Sequence, residues 1–179
     1  MEFSKLIEER RSIRAYAEGT VITRDEIEQM VYAAQQAPSW KNSQTGRYYV
    51  AFESETVKAL RETCLASFNY DRTLGAAAFV LATFKKGISG FKPDGTPADE
   101  LGNGWGAFDL GLQNAYFLLK ARELGYDTLI MGLRDEAKLR ELFDVSDDEI
   151  AVGLIALGKR AADPDKPERK ALDEIVKFF

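Results

Sequence analysis

The stretch LQNAYFLLKARELGYDTLIMGL (112–133) decides the fold, because a helix, a stop signal and a strand follow one another within it. Apolar residues recur at helical spacing from Trp105 to Leu124, and Gly125 is placed to end that helix. TLIMG (128–132) then has the apolar composition of a strand. A long helix followed directly by a strand indicates that helices and strands share one core.

The segments on either side of this stretch predict the remaining elements. Three more strands are expected at RYYVAF (47–52), AAFVLATF (77–84) and IAVGLIALG (150–158). Helices are expected from Phe3 into RRSIRAY (10–16), after a capping box of Thr23 and Glu26, from Ser54 to about Ala66, and after the cap Asp135. The sequence therefore predicts an α+β fold in which a central, mostly antiparallel β-sheet is flanked by helices.

Length and composition indicate one domain over residues 1–179, with a loop excursion at 85–104 and an irregular tail at 159–179. The excursion is polar and rich in Gly and Pro, as binding loops and lids often are. There is no apolar run long enough for a membrane span, and the amino terminus is acidic and lacks the apolar region of a secretory signal. A net charge of −5 without a basic stripe argues against nucleic acid. The single cysteine, Cys64, fits a cytoplasmic location.

The most informative count is the absence of histidine. It excludes Ser-His-Asp and Cys-His nucleophile arrangements and every zinc site that needs histidine. It also removes the usual general base near neutral pH, so a bound organic cofactor is the better hypothesis for any chemistry. SDDE (146–149) lacks the spacing of a calcium loop, and we interpret it as a helix cap rather than a metal site.

Three arginines lie within five positions in RRSIRAY (10–16). Guanidinium groups bind phosphate oxygens bidentately, and Arg10 and Arg14 would share a face if the helix continued. Glu8 and Glu9 stand beside them, however, and charge runs are usually solvated. Taken alone, the cluster fits a surface better than a site.

Three other stretches carry polar groups at the ends of predicted elements. They are APSWKNSQTGRYYV (37–50), FNYDRTLGAAAFV (68–80) and LIMGLRD (129–135). Each has a structural alternative: a capped loop, a salt bridge, or a strand that simply ends in glycine. GNGWG (102–106) is not a dinucleotide fingerprint, because it lacks the G-x-G-x-x-G spacing and follows a loop rather than a strand.

Taken in order, the segments resemble the FMN-dependent nitroreductase family over nearly the whole chain. The matching stretches are RRSIRAY (10–16), AQQAPSWKNSQ (34–44), NYDR (69–72), LQNAYFLLKARELGYDTLIMGL (112–133) and ALG…PERKALDEIV (156–176). The resemblance implies the nitroreductase-like fold and an obligate homodimer with flavin at the subunit interface.

The resemblance assigns the phosphate end of FMN to both termini of the chain. Arg10, Arg11 and Ser12 match the family's amino-terminal flavin-binding stretch, which holds the phosphate and ribityl groups. Arg169, with Lys170, matches the phosphate contact of the tail.

The resemblance assigns the flavin ring to three other regions. Arg14, Asn69 and Arg72 match the side chains at the pyrimidine edge. The segment of Met131, Gly132 and Leu133 matches the strand end whose backbone amide points at N5. Residues that reach across from the second subunit are matched by Ser39, Asn42 and Gln44.

The implied activity is ping-pong transfer of hydride from NADH or NADPH through FMN to a nitroaromatic or quinone-type small-molecule acceptor. No protein acid or base, and no metal, is needed for the hydride steps, which agrees with the missing histidine. The alternatives are a specialised flavoenzyme of the same fold, such as an enone reductase or dehalogenase, and a non-catalytic flavin carrier. Two departures stand out: Thr45-Gly46 replaces the Pro-Trp of many members, and Gly132 replaces an acidic residue.

Overall fold

A computed structural model describes residues 2–179. Within that range the chain forms six α-helices and four β-strands, with two short 3₁₀ turns at Trp40–Asn42 and Leu172–Glu174. The elements in chain order are α1 (Phe3–Glu9), α2 (Arg24–Gln35), β1 (Gly46–Ala51), α3 (Ser54–Cys64), α4 (Ser67–Arg72), β2 (Ala78–Lys85), α5 (Gly104–Glu123), β3 (Asp127–Met131), α6 (Glu136–Phe143) and β4 (Glu149–Gly158).

The four strands form one antiparallel sheet in the order β1-β2-β4-β3. β2 and β4 are central, and every residue of β2 except the last is buried. Both strands are mostly apolar because helices cover both of their faces. The sheet confirms the predicted architecture.

Successive residues of the central strands point to opposite faces, which separates the core into two layers. Val80 and Ile155 pack with Met30 of α2 and Phe117 of α5 on one face. On the other face, Leu81 and Leu154 pack with α3 and α6. The long helix α5 therefore packs against one face of the sheet, where it contacts both edge strands, β1 and β3.

Several local predictions are confirmed. The Thr23 hydroxyl accepts from the Glu26 amide while the Glu26 carboxylate accepts from the Thr23 amide at 2.8 Å, which completes the capping box that begins α2. Gly125 follows α5 with a φ of +85°. The Asp135 carboxylate caps α6 by accepting from the Lys138 amide at 3.1 Å.

Two other predictions are wrong, and one short helix was not predicted. The first helix ends at Glu9, so Arg10 and Arg14 do not share a helical face; the chain becomes extended because the Ile13 amide donates to the Thr128 carbonyl of β3. Asn69 lies in α4, a six-residue helix that sequence periodicity did not indicate. SDDE (146–149) caps no helix and instead contains the turn that leads into β4.

The 85–104 excursion folds back on itself. Phe91 and Pro97 form an isolated bridge, and the Ala98 amide donates to the Gly90 carbonyl at 2.8 Å. The Gly87 amide donates to the Asn103 side chain at 2.8 Å, which ties the first turn of the excursion to the start of α5. Among residues 2–179, no helix is long and apolar enough to cross a membrane.

Candidate functional site

The amino-terminal arginine segment runs along the outer edge of β3. Ser12 forms a parallel bridge with Thr128, and the Ile13 amide donates to the Thr128 carbonyl at 3.0 Å. Ile13 is buried whereas Ser12 and Arg14 are exposed, as the two-residue period of an extended chain requires. The pairing therefore turns Ser12 and Arg14 outward from the same stretch of backbone.

Arg10 and Arg169 lie close enough for their like charges to interact, although they are 159 positions apart. Burial, and then the like charges of Arg169 and Arg11, lower the pKa of the Arg10 guanidinium. Among residues 2–179, no hydrogen bond or ion pair engages the Arg10 side chain. Like charges at this separation would be stabilised by an anion bound near them.

The other cations of this region differ in how many of their N–H groups already donate hydrogen bonds to the protein backbone. Arg11 donates to the carbonyls of Glu8 and Arg10, so its guanidinium is held against the local backbone. Arg169 donates to the Pro167 carbonyl at 2.9 Å. Lys170 follows it, exposed in the tail.

The end of β3 is linked to α4 by one side chain. Asn69 is buried, and its amide nitrogen donates to the Leu133 carbonyl at 2.9 Å. Arg72 lies one turn later, exposed, with its guanidinium 5.2 Å from the Phe68 ring centre. The structure therefore brings Asn69 to the strand end and leaves Arg72 at the surface beside it.

The strand end itself is a fixed piece of backbone. Met131 is buried as the last residue of β3, and Gly132 and Leu133 are exposed. Arg134 donates to the Gly132 carbonyl at 2.6 Å and to the Ala151 carbonyl at 2.8 Å, which holds the turn against β4. A Cβ atom added to Gly132 would meet nothing within 4 Å, so this glycine is not required by local packing.

Ser39, Asn42 and Gln44 lie in a strained loop before β1. Lys41, Asn42 and Gln44 all have positive φ, at 48°, 56° and 49°, in the left-handed region that few residues other than glycine adopt. The Ser39 hydroxyl accepts from the Gln44 amide at 3.1 Å and closes the loop. Asn42 and Gln44 are exposed, so the loop presents both to the outside.

The predicted site residues therefore form two groups rather than one. The first group, which contains Arg10, Ser12 and Asn69, lies along β3, and the second lies in the loop before β1. β1 and β3 are the opposite edges of the sheet, three strand spacings or roughly 14 Å apart. Within this chain the two groups therefore lie at opposite edges of the sheet.

Sequence reasoning missed a recess beside Gln44. It has a volume of about 500 Å³ and is lined by residues from α2, β1 and α5, among them Gln35, Arg47, Tyr48 and Gln113. Gln113 is almost fully buried, and its side chain occupies the space where a Cβ on Gly46 would lie. The available signal was a polar residue at a buried position of an apolar helix. In residues 2–179, no cluster of acidic or thiol side chains could hold a metal ion.

Comparison with known proteins gives three kinds of similarity. The sequence model of the nitroreductase family matches residues 7–159. A Bacillus subtilis protein provisionally named NAD(P)H nitroreductase YdgI is 26% identical over an alignment of 206 positions, which covers 99% of this chain and 97% of the relative.

Two solved structures show the same fold. A protein from Exiguobacterium sibiricum 255-15, solved in complex with FMN, superposes with a TM-score of 0.87 at 24% identity, covering 100% of this chain and 98% of the other. The enone reductase CLA-ER, of gut-bacterial fatty acid saturation metabolism, superposes with a TM-score of 0.83 at 21% identity, covering 99% and 97%.

Proposed function

This chain belongs to the nitroreductase family, and from that membership we propose that it is an FMN-dependent oxidoreductase that uses NADH or NADPH to reduce nitroaromatic or quinone-type acceptors. The observation that carries the proposal is the proximity of two cations from opposite ends of the chain, Arg10 and Arg169, whose like charges act on one another. A phosphate monoester carries about −1.5 to −2 charges at neutral pH, which is the ligand such a pair would neutralise.

The phosphate end of FMN is proposed to lie on Arg10, Arg169 and the exposed Ser12 hydroxyl, with Lys170 nearby. Charge-assisted hydrogen bonds from guanidinium groups to phosphate are roughly twice as strong as neutral ones. Arg11 supports this site less directly, because its guanidinium already donates to two carbonyls.

The ring end is proposed to lie at the turn after β3. The side-chain nitrogen of Asn69 donates to the Leu133 carbonyl. The side-chain oxygen of Asn69 is therefore left as an acceptor for a ring N–H group. Met131, Gly132 and Leu133 supply backbone that Arg134 holds in place. The exposed guanidinium groups of Arg14 and Arg72 would stabilise negative charge on the pyrimidine edge.

We propose that the second group, Ser39, Asn42 and Gln44, contacts the flavin bound to the other subunit of a homodimer. The roughly 14 Å between the sheet edges supports this arrangement, because the loop lies far from β3 of its own chain.

An exposed apolar surface supports the homodimer. Phe3, Tyr32, Phe108 and Tyr116 are large apolar side chains on α1, α2 and α5 that are between 43% and 67% exposed. A recess of about 670 Å³ lies between α2 and α5 and includes Tyr32 and Tyr116. Exposed apolar surface of this kind marks interaction sites.

When bound, FMN would supply the redox chemistry, accepting hydride from NAD(P)H and donating it to the acceptor. The protein's part is to bind, orient and stabilise charge, for which no histidine is needed and none is present. A cytoplasmic location is part of the proposal, and the single, buried, unpaired cysteine is compatible with it.

The test begins with the visible spectrum of the freshly purified protein, followed by anaerobic addition of NADH and then NADPH. We expect a yellow protein that bleaches with one of them and recovers its colour when a nitroaromatic or quinone is added. A protein that stays yellow with both donors would favour a flavin carrier. A colourless protein that FMN does not reconstitute would contradict the proposal.

An acceptor panel then tests the chemistry in finer detail. Nitroaromatics and quinones are compared with enones and halogenated phenols, because the fold is shared with an enone reductase. A strong preference for an enone or a halogenated phenol would keep the flavin and replace the proposed acceptor class.

A further inference from the structure

Asp109 is a carboxylate buried inside α5. It is 2% exposed, and its Oδ2 atom accepts two hydrogen bonds, one from the Trp40 backbone amide at 3.0 Å and one from the Ser89 hydroxyl at 2.8 Å. A buried carboxylate is costly unless such bonds stabilise it, so its presence requires an explanation.

The network extends from Ser89 into the loop before β1. Ser89 is 1% exposed, and its hydroxyl lies 2.8 Å from the Ser43 hydroxyl and 3.4 Å from the Thr45 hydroxyl. Asp109 and Ser89 thus join the 39–45 loop to two later, consecutive segments: the 85–104 excursion and α5.

The 39–45 loop needs external support. Positive φ at Lys41, Asn42 and Gln44 is unfavourable for residues with side chains, and it persists only where the surroundings hold it. Trp40, which begins this strained turn, donates its amide to Asp109 and packs its ring 4.9 Å from that of Trp105. Both contacts reach the start of α5, so that helix is the support on which the loop rests.

We propose that Asp109 is a positioning residue, which acts through Trp40 and Ser89 to hold Ser39, Asn42 and Gln44 in the conformation that reaches the flavin of the other subunit. This inference rests on the proposed function. It also assigns a role to the 85–104 excursion, which secures the flavin-facing loop through Ser89.

The first measurement is the affinity of the dimer for FMN, which is determined from the quenching of flavin fluorescence on binding. Asp109→Ala removes the acceptor and is expected to weaken FMN binding about tenfold or more. Asp109→Asn keeps an oxygen that accepts from both donors and is expected to restore the affinity to within about threefold of the wild type.

The matched control is Glu149→Ala. Glu149 is also a buried carboxylate, 4% exposed, but the hydroxyls that donate to it belong to Tyr49 and Thr83, which lie outside the 39–45 loop. Glu149→Ala is expected to lower stability and leave FMN affinity within about twofold. Equal loss of affinity in Asp109→Ala and Glu149→Ala would overturn the positioning role, because general destabilisation would then explain both.

A subunit-mixing experiment tests whether the loop acts across the interface. In a heterodimer of one Arg10→Ala subunit and one Asp109→Ala subunit, one flavin site carries both defects and the other carries neither. We therefore expect about one wild-type FMN site per mixed dimer, although neither homodimer has any. If mixing restores no site, the loop acts within its own chain and the proposal is wrong.

Hydrogen exchange of the flavin-free protein separates failure of this inference from failure of the proposed function. The Trp40 amide is expected to exchange faster in Asp109→Ala and at the wild-type rate in Glu149→Ala. An unchanged Trp40 rate in Asp109→Ala would overturn the inference. A wild-type protein that binds no FMN would instead overturn the proposed function, and with it the flavin part of this proposal.

Discussion

The side-chain amide of Asn69 donates a 2.9 Å hydrogen bond to the backbone carbonyl of Leu133, 64 positions later in the chain. This bond joins α4 to the turn after β3, the two segments that we propose lie at the flavin ring. It is formed by the protein alone, so this part of the site is organised before any ligand arrives.

Replacing Asn69 tests that bond. Asn69→Ala removes the donor and leaves the Leu133 carbonyl without it, so we expect the free energy of unfolding to fall by about 1–3 kcal/mol. Asn69→Asp keeps the shape but has no donor at neutral pH, and we expect a loss at least as large. Urea denaturation at pH 7 measures both; an aspartate variant as stable as the wild type would contradict this account.

If Arg10 and Arg169 bind phosphate, their removal should weaken the binding of FMN but not that of riboflavin, which lacks the phosphate. Arg10→Ala and Arg169→Ala are each expected to weaken FMN binding by about 1.5–3 kcal/mol and to leave riboflavin binding nearly unchanged. Arg24→Ala is the control, because it removes the same charge from an exposed pair with Glu28. Titrations of both flavins at low salt give the affinities. Parallel losses for FMN and riboflavin would show that the arginines do not bind phosphate.

Two glycines of α5 predict opposite effects of the same substitution. A Cβ on Gly106 would lie 2.3 Å from the Phe84 ring, so Gly106→Ala is expected to destabilise the protein by about 1–3 kcal/mol through overpacking. A Cβ on Gly111 would meet nothing within 4 Å, and Gly111→Ala is expected to stabilise by up to about 1 kcal/mol, because alanine favours helix. Thermal or urea unfolding of the two variants tests the contrast. A change in the free energy of unfolding in the same direction for both variants would be inconsistent with the packing described.

The capping box of α2 predicts a dependence of stability on pH. Hydrogen bonds from the amide and hydroxyl of Thr23 lower the pKa of Glu26 below its ordinary value of 4.5. A lowered folded-state pKa contributes stability that is present above pH 4.5 and is lost as the pH falls through the folded value. Unfolding free energies of the wild type and Glu26→Gln should therefore converge between pH 7 and pH 3. A constant difference across that range would refute the assignment.

The cap itself is tested by Thr23→Ala, which should lower the free energy of unfolding by about 1 kcal/mol at pH 7.

Local chemistry made most of the elements predictable from sequence. The Thr23 capping box, the stop at Gly125 and the apolar run of β2 each depend on neighbours within a few residues. A helix was predicted to run from Phe3 into RRSIRAY (10–16). That segment is extended instead, because its conformation depends on a hydrogen bond from Ile13 to Thr128, 115 positions away. No periodicity in the segment itself reports such a partner.

The candidate site shows the same limit. The resemblance to a family indicated which side chains to consider, but not that Arg10 and Arg169 would influence one another or that Asn69 would bond to Leu133. The Asp109 network was not predicted at all, because it links three segments that only the folded chain brings together. Its one local signal, an aspartate within an apolar helix, is also compatible with a solvated position.

The place of β4 in the sheet has a consequence for how the protein is made. Of the strands within residues 2–179, β4 comes last and is central in the sheet, so β2 has no partner on that side until residues 149–158 have been synthesised. At about 5–20 residues per second, the 63 intervening residues take roughly 3–13 seconds to translate. During that time the apolar strand AFVLATF (78–84) is exposed on the nascent chain along the edge that β4 later covers. Slowing translation between β2 and β4 should therefore increase aggregation and chaperone binding more than slowing it after residue 158.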